Sequence, residues 1–473
     1  MKREAAPTLG FLLEALTDYR PTGKEPVVSS FIVDSREAVP GSVFVAFLGE
    51  NVDGHAYVAD AFGRGAIAAL VQQPVDGDWT TVDTRAGHAE YPARLPVCIV
   101  VDDTMRALQA IARAWRAQFN VRLIGVTGSI GKTSTKELIA AVLSRRYTTL
   151  KSEGNQNNEI GLPLTLLNLR TKHERAVVEM GMYAPGEIAL LCDLARPAVG
   201  VVTMIGPVHL ERLGSMEAIV AAKQELVAAL PDDGVAVLNR DDPRVMGMAA
   251  HTRARVFTYG LDSAADVWAD NIESMGLDGV RFTLHHRNEE LNVRVPLLGR
   301  HSVHTALRAA AVGLVEGLRW EEIVAGLGAL SSQLRLVVIP GPRDSLLIDD
   351  TYNSSPDSAL AALNLLADLD GRRIAVLGDM LELGDAEFEA HQIVGRRAAD
   401  VADALLTVGG RAQTIGREAI GAGLAAECVQ MVADAPAAVP LLEELIRPGD
   451  VILIKGSLGM RMERIVAALG RLD

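Results

Sequence analysis

The stretch Leu123-Ile-Gly-Val-Thr-Gly-Ser-Ile-Gly-Lys-Thr-Ser134 joins a short apolar run, a glycine-rich loop and the start of a helical pattern. Glycines let backbone N–H groups close on phosphate oxygens, and a following helix N-terminus adds positive potential. In this loop Lys132 can neutralise β- and γ-phosphate charge, and the Thr133 hydroxyl can coordinate Mg²⁺. The usual first glycine is replaced by Val126. A tight glycine turn without a ligand is the alternative, but the order strand, loop, helix favours a nucleoside triphosphate site.

Apolar strand-like runs alternate with helix-like segments on both sides of this loop. Short continuous β-branched runs separated by helical patterns are typical of parallel sheets covered on both faces. The sequence therefore predicts an α/β protein with mostly parallel sheets. The predicted strands are 97–101, 123–126, 176–178, 199–204, 235–238, 346–348, 374–377, 404–408 and 451–454, and helices are expected over 104–119, 135–144, 215–230 and 305–317.

The chain has 473 residues, which corresponds to about three domains at roughly 100–200 residues each. The polar stretch 76–96 has the composition of a loop or a sheet edge. The run Pro340-Gly-Pro342 lies in a segment typical of an inter-domain passage. We predict domains at 1–101, 102–332 and 333–473.

Charge and composition exclude several classes of protein. The net charge of −14 argues against a nucleic-acid partner or an anionic membrane surface. No apolar run approaches the roughly 18 residues needed to span a bilayer, and Glu14 interrupts the apolar cluster near the N-terminus. Three widely spaced cysteines fit neither a disulfide scaffold nor a cysteine zinc site. We expect a cytoplasmic protein without membrane insertion.

Two candidate metal ligands follow predicted strands. Glu179 comes directly after the strand 176–178, where α/β proteins bind their ligands, and could hold Mg²⁺. A solvated acid at a strand end is an equally good interpretation. His209 lies beyond the strand 199–204, but a lone histidine is more often structural than a ligand.

Lys223 lies on or beside the apolar stripe of its predicted helix, together with Ile219 and Val227. A lysine that extends its amine to solvent is the common interpretation of such a position. A lysine that points inward instead needs a negative partner or a chemical change.

Polar residues also follow other predicted strands. Amides at 155–158 could bind sugar hydroxyls or phosphates, or could simply form turns. The adjacent carboxylates Asp349 and Asp350 repel each other and need a cation or hydrogen-bond donors nearby. Lys455 places a cation at the end of the last strand.

Together these stretches resemble the Mur ligase superfamily, the ATP-dependent amide-forming enzymes of peptidoglycan precursor synthesis, along essentially the whole chain. The loop 127–133, Glu179, His209 and Lys223 within Ala-Ala-Lys-Gln-Glu carry this resemblance. The runs Asp350-Thr-Tyr-Asn-Ser-Ser-Pro-Asp357 and Gly378-Asp-Met-Leu-Glu-Leu-Gly384 are similar to those of the members that add D-alanyl-D-alanine. The N-terminal runs Val33-Asp-Ser-Arg36 and Asp53-Gly-His55 look like the family's UDP-substrate domain.

The resemblance implies three domains: an N-terminal α/β UDP-substrate domain, a central P-loop ATPase-like domain and a C-terminal Rossmann-like domain. It implies that ATP and a UDP-N-acetylmuramoyl tripeptide form an acyl phosphate, which D-alanyl-D-alanine then attacks. It also implies two Mg²⁺ ions, carbamylation of Lys223 and a monomer. The implied catalytic residues are Lys132, Glu179, His209 and Lys223; the metal ligands are Thr133, Glu179 and His209.

The same resemblance implies binding roles for further residues. The nucleotide would be bound by Thr127, Gly128, Ser129, Gly131, Lys132, Thr133, Ser134, His301, Arg335 and Asp350. The substrates would be bound by Ser35, Arg36, His55, Asn155, Asn157, Asn353, Ser355 and Lys455.

The chain departs from the family pattern beside the adenine. The family's run is His-Asn-x-x-Asn, whereas here His301 is followed by Ser302 and, at the second asparagine position, by Thr305. Two alternatives stay open: a ligase for a different amino-acid acceptor, and a nucleotide-binding homologue that has lost catalysis.

Overall fold

The computed structural model describes residues 6–49, 52–208, 210–329 and 337–470. Three β-sheets follow one another along the chain, each packed against helices, so the predicted three-part α/β fold is confirmed. All nine predicted strands are present, and none of their ends is shifted by more than two residues. The domain boundaries 1–101, 102–332 and 333–473 stay a prediction.

The first sheet is parallel, with the order β1-β2-β3-β5-β4. The polar stretch 76–96 supplies β4, which forms an edge of this sheet. The elements are α1 (Leu9–Leu16), β1 (Phe31–Ile32), β2 (Val43–Val45), α2 (Val58–Gly63), β3 (Ala68–Val71), β4 (Thr80–Asp83) and β5 (Val97–Val100).

The second sheet has nine strands in the order β14-β13-β12-β11-β10-β9-β6-β8-β7, parallel from β7 to β12 and antiparallel from β12 to β14. Its strands are β6 (Arg122–Thr127), β7 (Thr149–Lys151), β8 (Arg175–Glu179), β9 (Val199–Val202), β10 (Val235–Asn239), β11 (Arg255–Gly260), β12 (Val267–Ser274), β13 (Val280–His286) and β14 (Glu289–Val295). The helices around it are α3 (Thr104–Arg116), α4 (Lys132–Leu143), α5 (Gly161–Leu167), α6 (Glu187–Ala195), α7 (Leu210–Leu213), α8 (Met216–Ala228), α9 (Pro243–Gly247), α10 (Ser302–Val315) and α11 (Trp320–Gly328).

The third sheet has the order β15-β16-β20-β17-β18-β19, and only β15 runs antiparallel to its neighbour. Its strands are β15 (Val337–Pro340), β16 (Leu346–Asp350), β17 (Arg373–Gly378), β18 (Ala404–Val408), β19 (Val429–Val432) and β20 (Val451–Lys455). The helices around it are α12 (Pro356–Ala367), α13 (Glu387–Val401), α14 (Gln413–Gly421), α15 (Ala435–Leu445) and α16 (Glu463–Leu469).

Strand β6 lies inside the second sheet, between β9 and β8, and both of its faces are buried. Leu123 contributes to the apolar core on one face, while Ile124 and Val126 contribute to the core on the other face. This burial explains the continuous apolar run in the sequence. Because β9, β6 and β8 are parallel neighbours, their carboxyl ends meet at one edge of the sheet.

None of the helices in the described ranges is long and apolar enough to cross a membrane.

Candidate functional site

The glycine-rich loop connects the end of β6 to the start of α4, and its conformation requires glycine. Gly128 has a φ of 141°, and a Cβ there would lie 1.9 Å from the Thr203 Oγ1 atom. Gly131, which caps α4, has a φ of 78°. Residues with side chains rarely adopt such angles. The loop can therefore follow β6 closely and turn into the helix without an obstructing side chain.

Hydrogen bonds to the segment after β9 hold the loop in place. The Ser129 backbone N–H donates to the Met204 carbonyl at 2.8 Å, and its hydroxyl donates to the Gly206 carbonyl at 3.0 Å. The Thr203 hydroxyl donates to the Ile130 carbonyl at 2.7 Å. On the other side, the buried Thr127 hydroxyl donates to the Met180 carbonyl at 2.8 Å. The loop is thus anchored on both neighbouring strands.

Lys132 extends over the loop from the first turn of α4, where Ser134 is half-buried. Its ammonium donates to the carbonyls of Gly128 at 3.0 Å and Ser129 at 3.1 Å. Burial lowers the pKa of Lys132, and the negative charge of Glu179 opposes this shift. The loop carbonyls therefore hold the cation beside the loop that the sequence predicts to bind phosphates.

Glu179 ends β8, and its side chain is only 2% exposed. Its two carboxylate oxygens each accept a hydrogen bond of 2.8 Å, one from the Thr133 hydroxyl and one from the Asn157 amide. The structure thus brings together three predicted site residues whose oxygen atoms are the hard ligands that Mg²⁺ prefers. This donor set fits the metal, with the carboxylate and hydroxyl as its ligands.

Lys223 points into the protein from α8, and its side chain is 1% exposed. Among the residues that the structure describes, none accepts a hydrogen bond from its ammonium or lies within ion-pair distance of it. Burial, followed by the positive charge of Lys132, holds the pKa of Lys223 well below its usual value, and Glu179 opposes this shift. These surroundings favour the neutral amine, which is the form that can act as a nucleophile.

The predicted C-terminal residues form a second cluster. Lys455, at the end of β20, is buried; its ammonium contacts the Asp350 carboxylate and donates to the Asn353 carbonyl, both at 2.8 Å. Burial raises the pKa of Asp350, and Lys455 opposes this shift. The buried Ser355 hydroxyl caps α12 by accepting a hydrogen bond from the Ser358 backbone N–H. Lys455 therefore organises this edge of the third sheet.

His301 is the N-cap residue of α10. A Cβ on Gly299 would lie 2.7 Å from the His301 Cε1 atom, so the ring folds back over that glycine. Surrounding protein lowers the pKa of His301 to about 4, and the positive charges of His304, Arg308 and Lys455 add to this effect. The imidazole is therefore neutral at pH 7.

The two substitutions in the adenine-side run are accommodated inside the fold. The Ser302 hydroxyl donates to the Leu298 carbonyl at 2.6 Å, so this carbonyl in the turn before α10 has a hydrogen-bond partner. Thr305 is buried on the same helix.

The predicted N-terminal residues bond within their own part of the chain. Arg36 forms an ion pair with Asp34, and the buried Ser35 hydroxyl lowers the pKa of Asp60 through a hydrogen bond. The His55 ring contacts the Asp53 carboxylate at 2.6 Å and accepts from the Gln72 backbone N–H at 2.9 Å. With both ring nitrogens engaged, His55 would have to release a partner to bind a ligand directly.

Two predicted residues, His209 and Arg335, lie outside the described residues. Asn155 is exposed and forms a hydrogen bond with Tyr352, a residue of the third sheet's unit that the sequence did not single out. Asp357 was also missed: its carboxylate lies 2.7 Å from the position of a Cβ on Gly206. The Asp350–Asp357 run contained both residues, but only the structure shows their contacts with the central part.

Arg308 is the third residue that the sequence did not indicate. It is buried on α10, within an alanine-rich helical pattern that predicts packing alone. Its guanidinium lies against Gly131 of the loop.

Family models match three successive parts of the chain. They are described as the Mur ligase family catalytic domain, the Mur ligase middle domain, and the Mur ligase glutamate ligase domain, and they match residues 28–116, 126–313 and 334–458 respectively.

Individual relatives match along nearly the full length. The UDP-N-acetylmuramoyl-tripeptide–D-alanyl-D-alanine ligase of Synechocystis is 38% identical, with 97% of this chain and 96% of the relative covered. The structure of MurF from Acinetobacter baumannii is 32% identical and superposes with a TM-score of 0.82 over 98% of each chain. MurF ligase from Thermotoga maritima, solved with ADP, is 26% identical with a TM-score of 0.76 over 93% of this chain and 96% of that one. The chain therefore belongs to the Mur ligase family.

Proposed function

We propose that the chain is an ATP-dependent ligase that joins D-alanyl-D-alanine to a UDP-N-acetylmuramoyl tripeptide, forming the pentapeptide precursor of peptidoglycan. The observation that carries the proposal is the position of Glu179, whose carboxylate is held by Thr133 and Asn157 beside the Lys132 loop. The similarity to ligases with this activity over nearly the whole chain supports the choice of substrates. We further propose that the protein acts as a monomer in the cytoplasm.

The reaction proceeds in two steps. A carboxylate oxygen of the tripeptide attacks the γ-phosphorus of ATP, the bond to ADP breaks, and an acyl phosphate forms. The amine of D-alanyl-D-alanine then attacks the acyl carbon, loses a proton, and expels inorganic phosphate. Lys132 and the loop stabilise the negative charge of the transferring phosphoryl group.

Thr133 and Glu179 would hold a magnesium ion, and His209 would contribute to a second one. When bound, these ions neutralise phosphate charge and orient the γ-phosphoryl group. Asn157 positions the Glu179 carboxylate through its hydrogen bond. His301, Arg335 and Asp350 are proposed to bind the nucleoside end of ATP, along with the loop residues 127–134.

We also propose that Lys223 is carbamylated. The neutral form of its amine, which burial favours, can add to CO₂, giving a carbamate anion and releasing one proton. The group at this position then becomes anionic. A carbamate at this position would attract the Lys132 ammonium, whose positive charge otherwise disfavours a charged Lys223.

Closure of the three parts would protect the acyl phosphate from water. Contacts between the central and C-terminal parts, Asn155 with Tyr352 and Gly206 with Asp357, support such an arrangement. Ser35, Arg36 and His55 are proposed to bind the UDP-substrate. The dipeptide would meet the residues around Lys455, namely Asn353 and Ser355.

Phosphate release tests this proposal. With Mg·ATP, release should require both the UDP-N-acetylmuramoyl tripeptide and D-alanyl-D-alanine. Glu179→Gln should slow release by about a hundredfold, because a metal ligand loses its charge. Glu174→Gln, directly before the first residue of the same strand, is the matched control and should retain activity. Phosphate release that does not require the dipeptide, or an unchanged rate of release in the Glu179→Gln variant, would contradict the proposal.

A further inference from the structure

Arg308 is a buried cation directly behind the phosphate loop. It lies on α10 with a side chain that is 5% exposed, and α10 packs against α4. Its Nη1 atom donates to the Thr135 hydroxyl in the first turns of α4 at 2.5 Å. A Cβ on Gly131 would lie 3.2 Å from the same nitrogen. The guanidinium therefore touches the loop and the helix that follows it.

The charge of Arg308 has no counter-ion in the described part of the chain. Within the described ranges, no carboxylate lies within ion-pair distance of it, and its Nε atom is buried without a hydrogen-bond partner. The ring of Tyr259 lies 5.6 Å from its Cζ atom. A buried charge is costly unless it is paired and hydrogen-bonded, so this arrangement needs a compensating group.

A second buried arginine in this chain has a hydrogen-bond acceptor for each of its three guanidinium nitrogens. Arg116 donates to three backbone carbonyls, those of Ala195, Phe119 and Val121, at 2.8 to 2.9 Å. Arg116 therefore fulfils a structural role through its own hydrogen bonds. Arg308 instead hydrogen-bonds to the hydroxyls of Thr135 and Tyr259, and its Nε atom is unsatisfied.

Arg308 also reaches the loop by a second route. The hydroxyl of Tyr259, whose ring lies beside the guanidinium, donates to the Thr203 carbonyl at 2.8 Å. Thr203 in turn donates to the Ile130 carbonyl and packs against Gly128. Arg308 is thus connected to both ends of the loop 128–131.

We propose that Arg308 is a positioning residue of the nucleotide site: its guanidinium braces the phosphate loop from behind, and the charge of a bound polyphosphate balances its own. This inference rests on the proposed binding of ATP. It predicts that Arg308 contributes to affinity in proportion to the phosphate charge of the ligand, although it need not touch the ligand.

The test compares binding of Mg·ATP, Mg·ADP and adenosine by calorimetry. Arg308→Gln removes the charge but can keep a hydrogen bond to Thr135, and Arg308→Met removes both. Both variants should weaken ATP binding by about tenfold, as expected for loss of one charge in a poorly solvated site. ADP binding should weaken less and adenosine binding by less than about twofold. Arg308→Lys, which retains the charge, should recover most of the loss.

Arg122→Met is the matched control. Arg122 pairs with Glu316 at the start of β6, about 17 Å from the end of that strand at roughly 3.3 Å per residue. This variant should bind all three ligands like the wild type. Thermal unfolding without ligand should show Arg308→Met at or above the wild-type midpoint, because an uncompensated buried charge has been removed.

Equal weakening of ATP and adenosine, or no weakening of either, would overturn the inference. So would a lower unfolding midpoint combined with unchanged ATP affinity, because that pattern describes a purely structural arginine. If methionine prevents folding, the glutamine variant gives the same comparison. Absence of Mg·ATP binding by the wild type would instead overturn the proposed function on which the inference rests.

Discussion

Buried lysines in this chain differ in whether the protein provides hydrogen-bond or ion-pair partners for their ammonium groups. Lys136 donates to the carbonyls of Ser152 and Gly154 and forms an ion pair with Glu137. Lys223 has neither kind of partner among the described residues, and its pKa is well below the usual value. A chemical change at Lys223 would resolve this difference, whereas Lys136 requires none.

Lys223→Ala tests the proposed carbamate. The variant should lose at least about a hundredfold in ligation rate, because the carbamate that would help to hold a magnesium ion is missing. Short carboxylic acids such as acetate should restore part of the rate by supplying a carboxylate. The control is Lys136→Ala, which should lose stability and gain nothing from added acids. Full activity of Lys223→Ala without additives would refute the carbamate.

The histidines offer a test of the local electrostatics. Surrounding protein atoms and nearby positive charges lower the pKa of His301 to about 4, whereas a hydrogen bond to Asp18 raises the pKa of His88. NMR titration of the ring protons should show His301 neutral down to about pH 5 and His88 titrating above pH 6.5, and His301→Asn should assign its resonance.

The lowered pKa of His301 makes the stability of the fold depend on pH. Between pH 6.5 and about 4 the unfolded chain binds a proton that folded His301 does not, so His301 destabilises the fold as the pH falls. His301→Asn should lose that part of the pH dependence. A His301 midpoint above pH 6 would contradict this electrostatic assignment.

At the scale of elements, the sequence predicted the units with the strongest patterns. The predictions of strand β6 and of the loop before α4 were correct. Helix α4 begins at Lys132 rather than at 135, because Gly131 already caps it. The hairpin β13–β14 was not predicted. Its second strand alternates exposed polar residues with few buried ones, so no apolar run marks it. The two-residue strand β1 is too short to carry any pattern.

Gly128→Ala tests how the loop depends on its backbone. The added Cβ would meet the Thr203 hydroxyl at 1.9 Å, and the φ of 141° is unfavourable for alanine. We expect loss of Mg·ATP binding with an unchanged circular dichroism spectrum, because the strain is local. Gly23→Ala, at a positive φ with open space around it, should bind ATP normally. Normal ATP binding by Gly128→Ala would contradict the inferred rigidity of the loop.

At the scale of the whole molecule, the site combines residues that are distant in sequence. Thr133 and Glu179, which the family resemblance paired, form a hydrogen bond because the parallel neighbours β6 and β8 end at the same edge. The contacts of Tyr352, Asp357 and Arg308 could not be predicted. They depend on how separately folded parts and packed helices meet, which residue spacing along the chain does not encode.

Nucleotide binding should stabilise the folded molecule measurably. Mg·ATP at a hundred times its Kd should add about 2.7 kcal/mol to the unfolding free energy of the part that binds it. Calorimetry should show a shift of that transition, and the Lys132→Met variant should show a much smaller one.

Light scattering should report a monomer near 50.4 kDa. An equal shift in wild type and Lys132→Met, or a dimeric mass, would count against this description.

Isotope transfer tests the proposed chemistry most directly. The terminal carboxylate of the UDP-N-acetylmuramoyl tripeptide is labelled with ¹⁸O and incubated with Mg·ATP and D-alanyl-D-alanine. We predict a pentapeptide product by mass spectrometry and one ¹⁸O atom in each released phosphate, because the carboxylate oxygen leaves with phosphorus. Unlabelled phosphate, or phosphate release without the pentapeptide, would contradict ligation through an acyl phosphate.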